Sequence, residues 1–170
     1  MRTSAAAAGS SLFFAVAPGV VAGVVPWALT GWRGADPPWW PPVRALGALV
    51  LAASSVVLVQ AFVRFVREGR GTPAPVAPTA HLVVGGLYRH VRNPMYVAVV
   101  GAVLGQALLL GRPVLLVYGA AIGAGMGAFA RWYEEPVLAE RYGDEYADYR
   151  RAVPGWLPRL RPWHPDAAGR

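Results

Sequence analysis

The chain contains no cysteine and no lysine. Without thiols it cannot form disulfide bonds, use a thiolate nucleophile or bind a metal through cysteine, although this absence does not identify the compartment. Charged residues make up only 15% of the 170 residues, whereas hydrophobic residues make up 55%. This composition is typical of a protein whose surface is largely in contact with lipid.

Uncharged runs divide the chain into four stretches. Residues 10–32 and 45–63 carry no charge, and residues 93–111 and 113–130 are separated only by Arg112. Because a bilayer core requires about 20 helical residues, we predict an all-α integral membrane protein with four transmembrane helices, at about 10–32, 45–66, 94–111 and 113–133. The last two helices form a hairpin. A signal peptide explains the first run less well, since no small-residue cleavage site precedes Pro26 and Trp27.

The arginines indicate an orientation. Thirteen of the sixteen lie in the N-terminus, the 64–92 connection and the segment after Ala130, against three in the other loops. The positive-inside rule then places both termini in the cytoplasm, and we expect a bacterial inner membrane. These arginines flank membrane segments and follow no nucleic-acid-binding motif, so lipid headgroups explain the net charge of +7 better than nucleic acid does.

The predicted loops on the two sides of the membrane differ in composition. The segment from Arg67 to Pro78 is rich in glycine and proline, so it is predicted to run extended within a cytoplasmic loop over residues 67–93. A loop of this length is more often functional than a plain linker. On the other side of the membrane, residues 36–42 are predicted to form a rigid loop anchored by tryptophans. We therefore treat residues 1–170 as one membrane domain.

A first polar cluster, residues 86–96, precedes the third span. Asn93 suits the N-cap position and Pro94 the first helical position, so a helix is predicted to begin here. An anionic group, such as the carboxylate of an amino-acid-like cofactor, would be stabilised by the helix N-terminus together with Arg89 or Arg92. The alternative is that these arginines only follow the positive-inside bias.

Glycines recur every four residues in the hairpin, at positions 101 and 105 and at positions 119, 123 and 127. Small residues on one face let membrane helices approach closely. The same spacing also suits a notch for a flat or elongated ligand, and the two interpretations are compatible.

A second polar cluster follows the fourth span. Glu134 and Glu135 are adjacent carboxylates, and residues 100° apart on a helix are expected to have different partners. Pro136 allows a bend. Beyond it, apolar and aromatic residues at helical spacing predict an amphipathic helix at about 136–153 that covers the cytoplasmic face; they are Leu138, Tyr142, Tyr146, Tyr149 and Val153.

Together the clusters resemble the membrane methyltransferases that include isoprenylcysteine carboxyl methyltransferase and the phospholipid N-methyltransferases. The resemblance covers about residues 81–160. The first part of the shared pattern consists of Gly86, Tyr88, Arg92, Asn93, Pro94 and Tyr96, and the second of Glu134, Glu135, Leu138, Tyr142, Gly143, Tyr146 and Tyr149. Asn93 stands where the carboxyl methyltransferases usually carry histidine, which slightly favours an amine or another small polar acceptor.

The resemblance implies a helical fold that binds S-adenosylmethionine between the last two spans and the C-terminal helix, with no metal. The residues it implies as cofactor contacts are Tyr88, Arg89, His90, Arg92, Asn93, Pro94, Tyr96, Glu134, Glu135 and Tyr146. The acceptor is expected to be a lipid-like molecule in the bilayer, either a prenylcysteine carboxylate or a lipid amine headgroup. Tyr96, Glu134 or Glu135 is a candidate to assist proton removal from an ammonium acceptor, and Arg131 or Arg150 is a candidate to hold a phosphate or carboxylate of the acceptor. A non-catalytic four-helix scaffold or permease subunit is the rival interpretation.

Overall fold

The computed structural model describes residues 16–35, 41–69 and 82–164. Within these ranges the chain is helical and contains no strand. We number the helices in chain order: α1 Val16–Thr30, α2 Pro41–Gly69, α3 Pro94–Leu110, α4 Pro113–Phe129 and α5 Glu135–Ala152. Wider π-turns lie within α1 at Val20–Val24 and between α4 and α5 at Ala130–Glu134, and a 3-10 turn covers Gly86–Arg89.

Two helical stretches are long and apolar enough to cross a bilayer, Pro41–Arg64 and the continuous run Pro113–Ala152. Only 17% of the most apolar window of each is buried, whereas the core helix of a soluble protein would be mostly buried. Val16–Thr30 and Pro94–Leu110 are shorter apolar helices. The count of four spans thus remains a prediction, and residues 10–15 of the first span lie outside the described residues.

Helix α2 corrects two predicted loop boundaries. It begins at Pro41 and continues to Gly69, so Pro41 and Pro42 belong to a helix and not to the preceding loop, and residues 67–69 do not run extended. Prolines are compatible with the first helical turn because its N–H groups have no intrahelical acceptor. The rest of the two predicted loops, residues 36–40 and 70–81, lies outside the described residues.

Close packing of α2 against α3 depends on glycines that face each other. A Cβ atom on Gly105 would lie 2.7 Å from the backbone nitrogen of Leu51, and one on Gly47 would clash with the backbone of Leu109. At Gly123 and Gly127 an added Cβ would meet only ordinary contacts of 3.6 and 3.8 Å. The closest approach between helix backbones is therefore that of α2 and α3. It depends on Gly47, which lies in α2 and so is not part of the glycine repeat seen in the hairpin.

Helices α3 and α4 form the predicted hairpin. Gly111 ends α3 with a φ of 63°, a left-handed conformation that glycine adopts without strain, and its N–H donates to the carbonyl of Ala107. Each helix has 17 residues. Because two antiparallel helices of equal length begin and end together, the first turn of α3 lies at the same end of the bundle as the last turn of α4.

Candidate functional site

The hairpin brings Tyr96 and Glu134 together. The Tyr96 hydroxyl donates a hydrogen bond of 2.5 Å to Glu134 Oε1. Glu134 lies four residues beyond the uncharged stretch that ends at Ala130, and burial raises the pKa of its carboxyl. The Tyr96 hydrogen bond lowers this pKa and the nearby Glu135 charge raises it, but burial is the largest effect. This carboxyl is thus held in a partly dry environment with one hydrogen-bond donor.

Glu135 points to a different group of partners, as adjacency on a helix predicts. Its Oε1 accepts a hydrogen bond of 2.9 Å from Arg92, across the hairpin. Its Oε2 lies 3.0 Å from Arg150 and 3.7 Å from Arg131. Three guanidinium groups around one carboxylate leave a local excess of positive charge at this end of the bundle.

The three ion pairs contribute unequally. The side chains of Arg92 and Glu135 are each only 14% exposed, so this pair is shielded from water. Arg131 is 66% exposed, and an exposed pair at 3.7 Å contributes little. Among the described residues, Arg92 Nε and Glu135 Oε2 are buried without an aligned hydrogen-bond partner. Oε2 is therefore in ionic contact with Arg150 but can still accept a hydrogen bond.

Helix α5 contributes Tyr146 and Tyr149 to the same end of the bundle. Arg92 donates a hydrogen bond of 3.1 Å to the Tyr146 hydroxyl, and the Tyr149 hydroxyl donates one of 2.7 Å to the carbonyl of Tyr88. Burial raises the pKa of both tyrosines, and Arg92 partly opposes this. Both hydroxyls therefore stay neutral at physiological pH, with Tyr146 accepting from Arg92 and Tyr149 donating to Tyr88. Gly143 has a φ of 51° and bends α5 at a point that precedes both tyrosines in the chain.

After α5 the chain turns back along the first polar cluster, and we call residues 153–164 the C-terminal strap. Backbone hydrogen bonds join the strap to residues 89–93. They are Arg92 N–H to Pro154 (2.9 Å), Asn93 N–H to Gly155 (3.2 Å), Arg159 N–H to His90 (2.9 Å) and Trp163 N–H to Arg89 (3.0 Å). The strap thus fixes the backbone of the segment that carries Arg92.

The side chains of two predicted site residues, Asn93 and His90, contact the strap. Asn93 is at the N-cap position of α3, but its side chain makes no cap hydrogen bond and instead donates to the Gly155 carbonyl at 3.2 Å. The predicted N-cap position of Asn93 is confirmed, but its side chain bonds to the strap and not to the first turn of α3. His90 Nδ1 lies 2.8 Å from the Arg159 carbonyl. Both side chains hold the strap, which explains their positions without a ligand.

Trp156, on the strap, was not recognised from the sequence. Its ring stacks on Tyr96, with centroids 6.4 Å apart and planes at 19°. Its Cζ2 atom lies 3.8 Å from where a Cβ on Gly127 would stand. The glycine in the last part of α4 thus makes room for an aromatic side chain, and Trp156 covers the Tyr96–Glu134 pair.

A cavity of about 290 Å³ opens beside the ionic cluster. It is lined by Arg131, Glu135, Pro136, Ala139 and Arg150. Its polar lining consists of two arginines and the carboxylate they share, which suits a ligand with both an anionic and a cationic group. Within the described ranges, no group of three or more histidine, aspartate or glutamate side chains is close enough to hold a metal ion.

The predicted site residues therefore fall into three sets. Arg92, Arg131, Glu135 and Tyr146 meet in the ionic cluster, and Tyr96 and Glu134 form the adjacent pair. The third set contacts α5 or the strap mainly through backbone carbonyls and consists of Tyr88, Arg89 and His90. Pro94 is buried at the start of α3. Arg150, the alternative to Arg131, also lies in the ionic cluster, and the structure adds Trp156 beside Tyr96.

With this geometry in place, the class of protein can be stated. Two helical stretches are long and apolar enough to cross a membrane, and residues 43–145 match the family model described as phospholipid methyltransferase. That match covers more than half of the chain and takes in both α3 and α4. The chain belongs to this family of methyltransferases. No curated protein matches the chain.

Proposed function

We propose that the protein is an S-adenosylmethionine-dependent methyltransferase that acts on a membrane-embedded, lipid-like acceptor. The observation that carries the proposal is the pairing of Tyr96 with Glu134 and of Arg92 with Glu135 at one end of the hairpin, in a chain of this family. These residues come from the two sequence clusters, one at the start of α3 and one after α4, and all of them lie within the matched region.

The residues present fit this cofactor. Its methionine portion carries a carboxylate and an ammonium group, and the site offers arginines beside glutamates. The buried Arg92 Nε and Glu135 Oε2 atoms, which lack aligned partners among the described residues, are a donor and an acceptor of the required kinds. Arg92, Glu134, Glu135 and Tyr146 are our proposed cofactor contacts. Tyr88, Arg89, His90, Asn93 and Pro94 are proposed to shape the site around them.

When bound, S-adenosylmethionine supplies a methyl group that its sulfonium already activates. The protein then needs no nucleophilic side chain. Its residues orient the acceptor in line with the methyl group and exclude water, an effect that reaches about 7–11 kcal/mol in favourable cases. Trp156 and Tyr96 form an aromatic wall that excludes water from Glu134. For an ammonium acceptor, Glu134 takes the proton that the nitrogen must lose before it can attack the methyl group. The hydrogen bond from Tyr96 holds the Glu134 carboxyl in place for this step. A carboxylate acceptor requires no such step.

Arg131 is proposed to act on the acceptor and not on the cofactor. Its side chain is exposed at the rim of the cavity and only 3.7 Å from Glu135. A planar guanidinium binds a phosphate or carboxylate through paired hydrogen bonds. Arg150, on the other side of the cavity, is placed for the same contact.

The proposed membrane arrangement has four spans with both termini in the cytoplasm of a bacterial cell. It is supported by the thirteen-to-three arginine distribution and by the outward-facing apolar side chains of α2 and α4. In this arrangement α5 lies at the cytoplasmic interface as an amphipathic cover. Its buried residues Tyr146 and Tyr149 pack with Val153 of the strap, while Glu140, Arg141, Asp144 and Glu145 are exposed.

Equilibrium binding of S-adenosylmethionine to the detergent-purified protein tests the proposal. A methyltransferase binds the cofactor saturably and more tightly than it binds methionine alone. A non-catalytic scaffold or permease subunit predicts no binding, and that result would overturn the proposal. Labelled cofactor supplied with a bacterial lipid extract, a prenylcysteine analogue or water-soluble amines then identifies the acceptor class. Transfer confined to the water-soluble compounds would contradict a membrane-embedded acceptor.

A further inference from the structure

The C-terminal strap exposes large apolar side chains in a short stretch. Leu157 and Leu160 are 81% and 97% exposed, and Trp156 is 40% exposed. Arg161, next to Leu160, is also exposed. Soluble tails seldom present two leucines in this way, because burying each of them is favourable.

The position of the strap relative to the bundle indicates what covers these leucines. Trp156 lies against Gly127, three residues before the end of the uncharged stretch of α4, and stacks on Tyr96 in the first turn of α3. The strap therefore reaches the level at which both helices are still apolar. At this end of α4, Phe129 and Trp132 also face outward.

Trp156, which precedes Leu157 in the chain, thus joins the strap to the hairpin, whose surface is apolar on its exposed side. Nearer the start of α4, this surface includes Val117, which is 72% exposed. A surface that passes from aliphatic residues to tryptophan and then to arginine matches a bilayer, whose acyl region gives way to anionic phosphates at the interface.

We propose that residues 156–161 are an interfacial membrane contact. Leu157 and Leu160 enter the acyl boundary of the leaflet beside the candidate site, and Arg161 lies at the level of the lipid phosphates. Because the strap is hydrogen-bonded to Arg89, His90 and residues 92–93, contact with lipid also fastens the segment that carries Arg92. This inference concerns membrane contact and does not depend on methyl transfer.

The absence of cysteine allows a direct test with single-cysteine variants of the full chain. Leu160→Cys and Leu157→Cys are labelled with an environment-sensitive fluorophore and reconstituted in vesicles of phosphatidylcholine and phosphatidylglycerol. Arg151→Cys, at an exposed position of α5, is the aqueous control, and Val117→Cys is the membrane control. Quenching is measured with aqueous iodide and with lipids that carry a spin label on the acyl chain.

We expect the labels at positions 157 and 160 to be several-fold less sensitive to iodide than the label at 151, and to be quenched by the spin-labelled lipids. All four positions are exposed, so the substitutions remove no packing within the chain, and thermal unfolding in detergent verifies the fold. If both strap labels behave like the label at 151, the proposal is wrong, whatever the outcome of cofactor binding.

Discussion

Tyr96 and Glu134 are 38 positions apart in the chain and are joined by a hydrogen bond of 2.5 Å. The hairpin creates this contact, since Tyr96 lies in the first turn of α3 and Glu134 is the last residue of the π-turn that follows α4. The next residue, Glu135, turns to Arg92 instead. Two adjacent carboxylates thus have separate environments, one with a single tyrosine donor and the other with three arginines. This difference allows their roles to be tested separately.

Glutamine substitutions should distinguish the two carboxylates. Glu134→Gln is expected to weaken S-adenosylmethionine binding while leaving the protein folded, because the amide keeps the size of the side chain but loses its charge. Glu135→Gln is expected to lower stability as well, by about 3 kcal/mol, because Arg92 would keep a buried charge without its partner. Titration calorimetry and thermal unfolding in detergent measure the two effects. Unchanged cofactor affinity in both variants would remove the pair from the site.

The raised pKa of Glu134 predicts how binding depends on pH. If the ionised carboxylate contacts a cationic part of the cofactor, affinity falls on acidification, and it does so at a higher pH than for an ordinary glutamate with a pKa of 4.5. The stability contribution has the opposite sign. A carboxyl whose folded-state pKa is raised binds its proton more tightly when folded, so its contribution declines as pH rises from the unfolded to the folded pKa.

The control for this pH dependence is Glu134→Gln, which has no titrating carboxyl at this position. The difference between wild type and variant in cofactor affinity should shrink as pH falls through the raised pKa. A difference that stays constant over that range would show that the charge of Glu134 does not contribute.

Removal of the Tyr96 hydroxyl tests the proton step. Tyr96→Phe keeps the ring that stacks on Trp156 but leaves the buried Glu134 without its donor, which is expected to cost about 1–3 kcal/mol. Tyr118→Phe is a matched control, since the Tyr118 hydroxyl donates to the Val21 carbonyl at 2.9 Å on a different helix pair. Both variants should be less stable, but only Tyr96→Phe should slow methyl transfer to an amine acceptor. Equal transfer rates would show that Tyr96 has only a packing role.

Much of this site could be predicted from the sequence because its determinants are local. Two uncharged runs separated by Arg112 predict a hairpin, and a hairpin brings residues 93–96 next to residues 131–135 without further information. The start of α3 at Pro94 follows from the restricted backbone of proline. The separate partners of Glu134 and Glu135 follow from the 100° rotation between neighbours on a helix.

The strap could not be predicted in the same way. Four of its contacts with residues 89–93 are backbone hydrogen bonds, which carry no side-chain pattern, and they join positions more than sixty residues apart. The only local signal was the turn-forming pair Pro154 and Gly155. The N-cap position of Asn93 could be predicted because it depends on local geometry, but the partner of its side chain could not, because the carbonyl of Gly155 becomes available only when the strap folds back.

Alanine substitutions at two glycines should separate packing from helix propensity. Gly105→Ala places a methyl group 2.7 Å from the backbone of Leu51, which cannot move without shifting α2, so a loss of about 1–3 kcal/mol is expected. Gly125→Ala is the control, since no atom lies within 4 Å of its added Cβ. Its stability should be unchanged or slightly higher, because alanine favours helix over glycine. Thermal unfolding in detergent compares the two, and equal effects would contradict the close crossing of α2 and α3.

Membrane topology provides the last test. The arginine distribution predicts that a reporter fused after Trp40 and one fused after Arg170 lie on opposite sides of the membrane, with the second in the cytoplasm. A paired alkaline phosphatase and fluorescent-protein fusion at each position measures this, because each reporter is active on one side only. In the four-span arrangement, three spans lie between the two fusion points, so the reporters must be on opposite sides. If both report the same side, that arrangement is wrong. The candidate site would then need a different position relative to the bilayer, since α3 begins and α4 ends on the side of the C-terminal fusion.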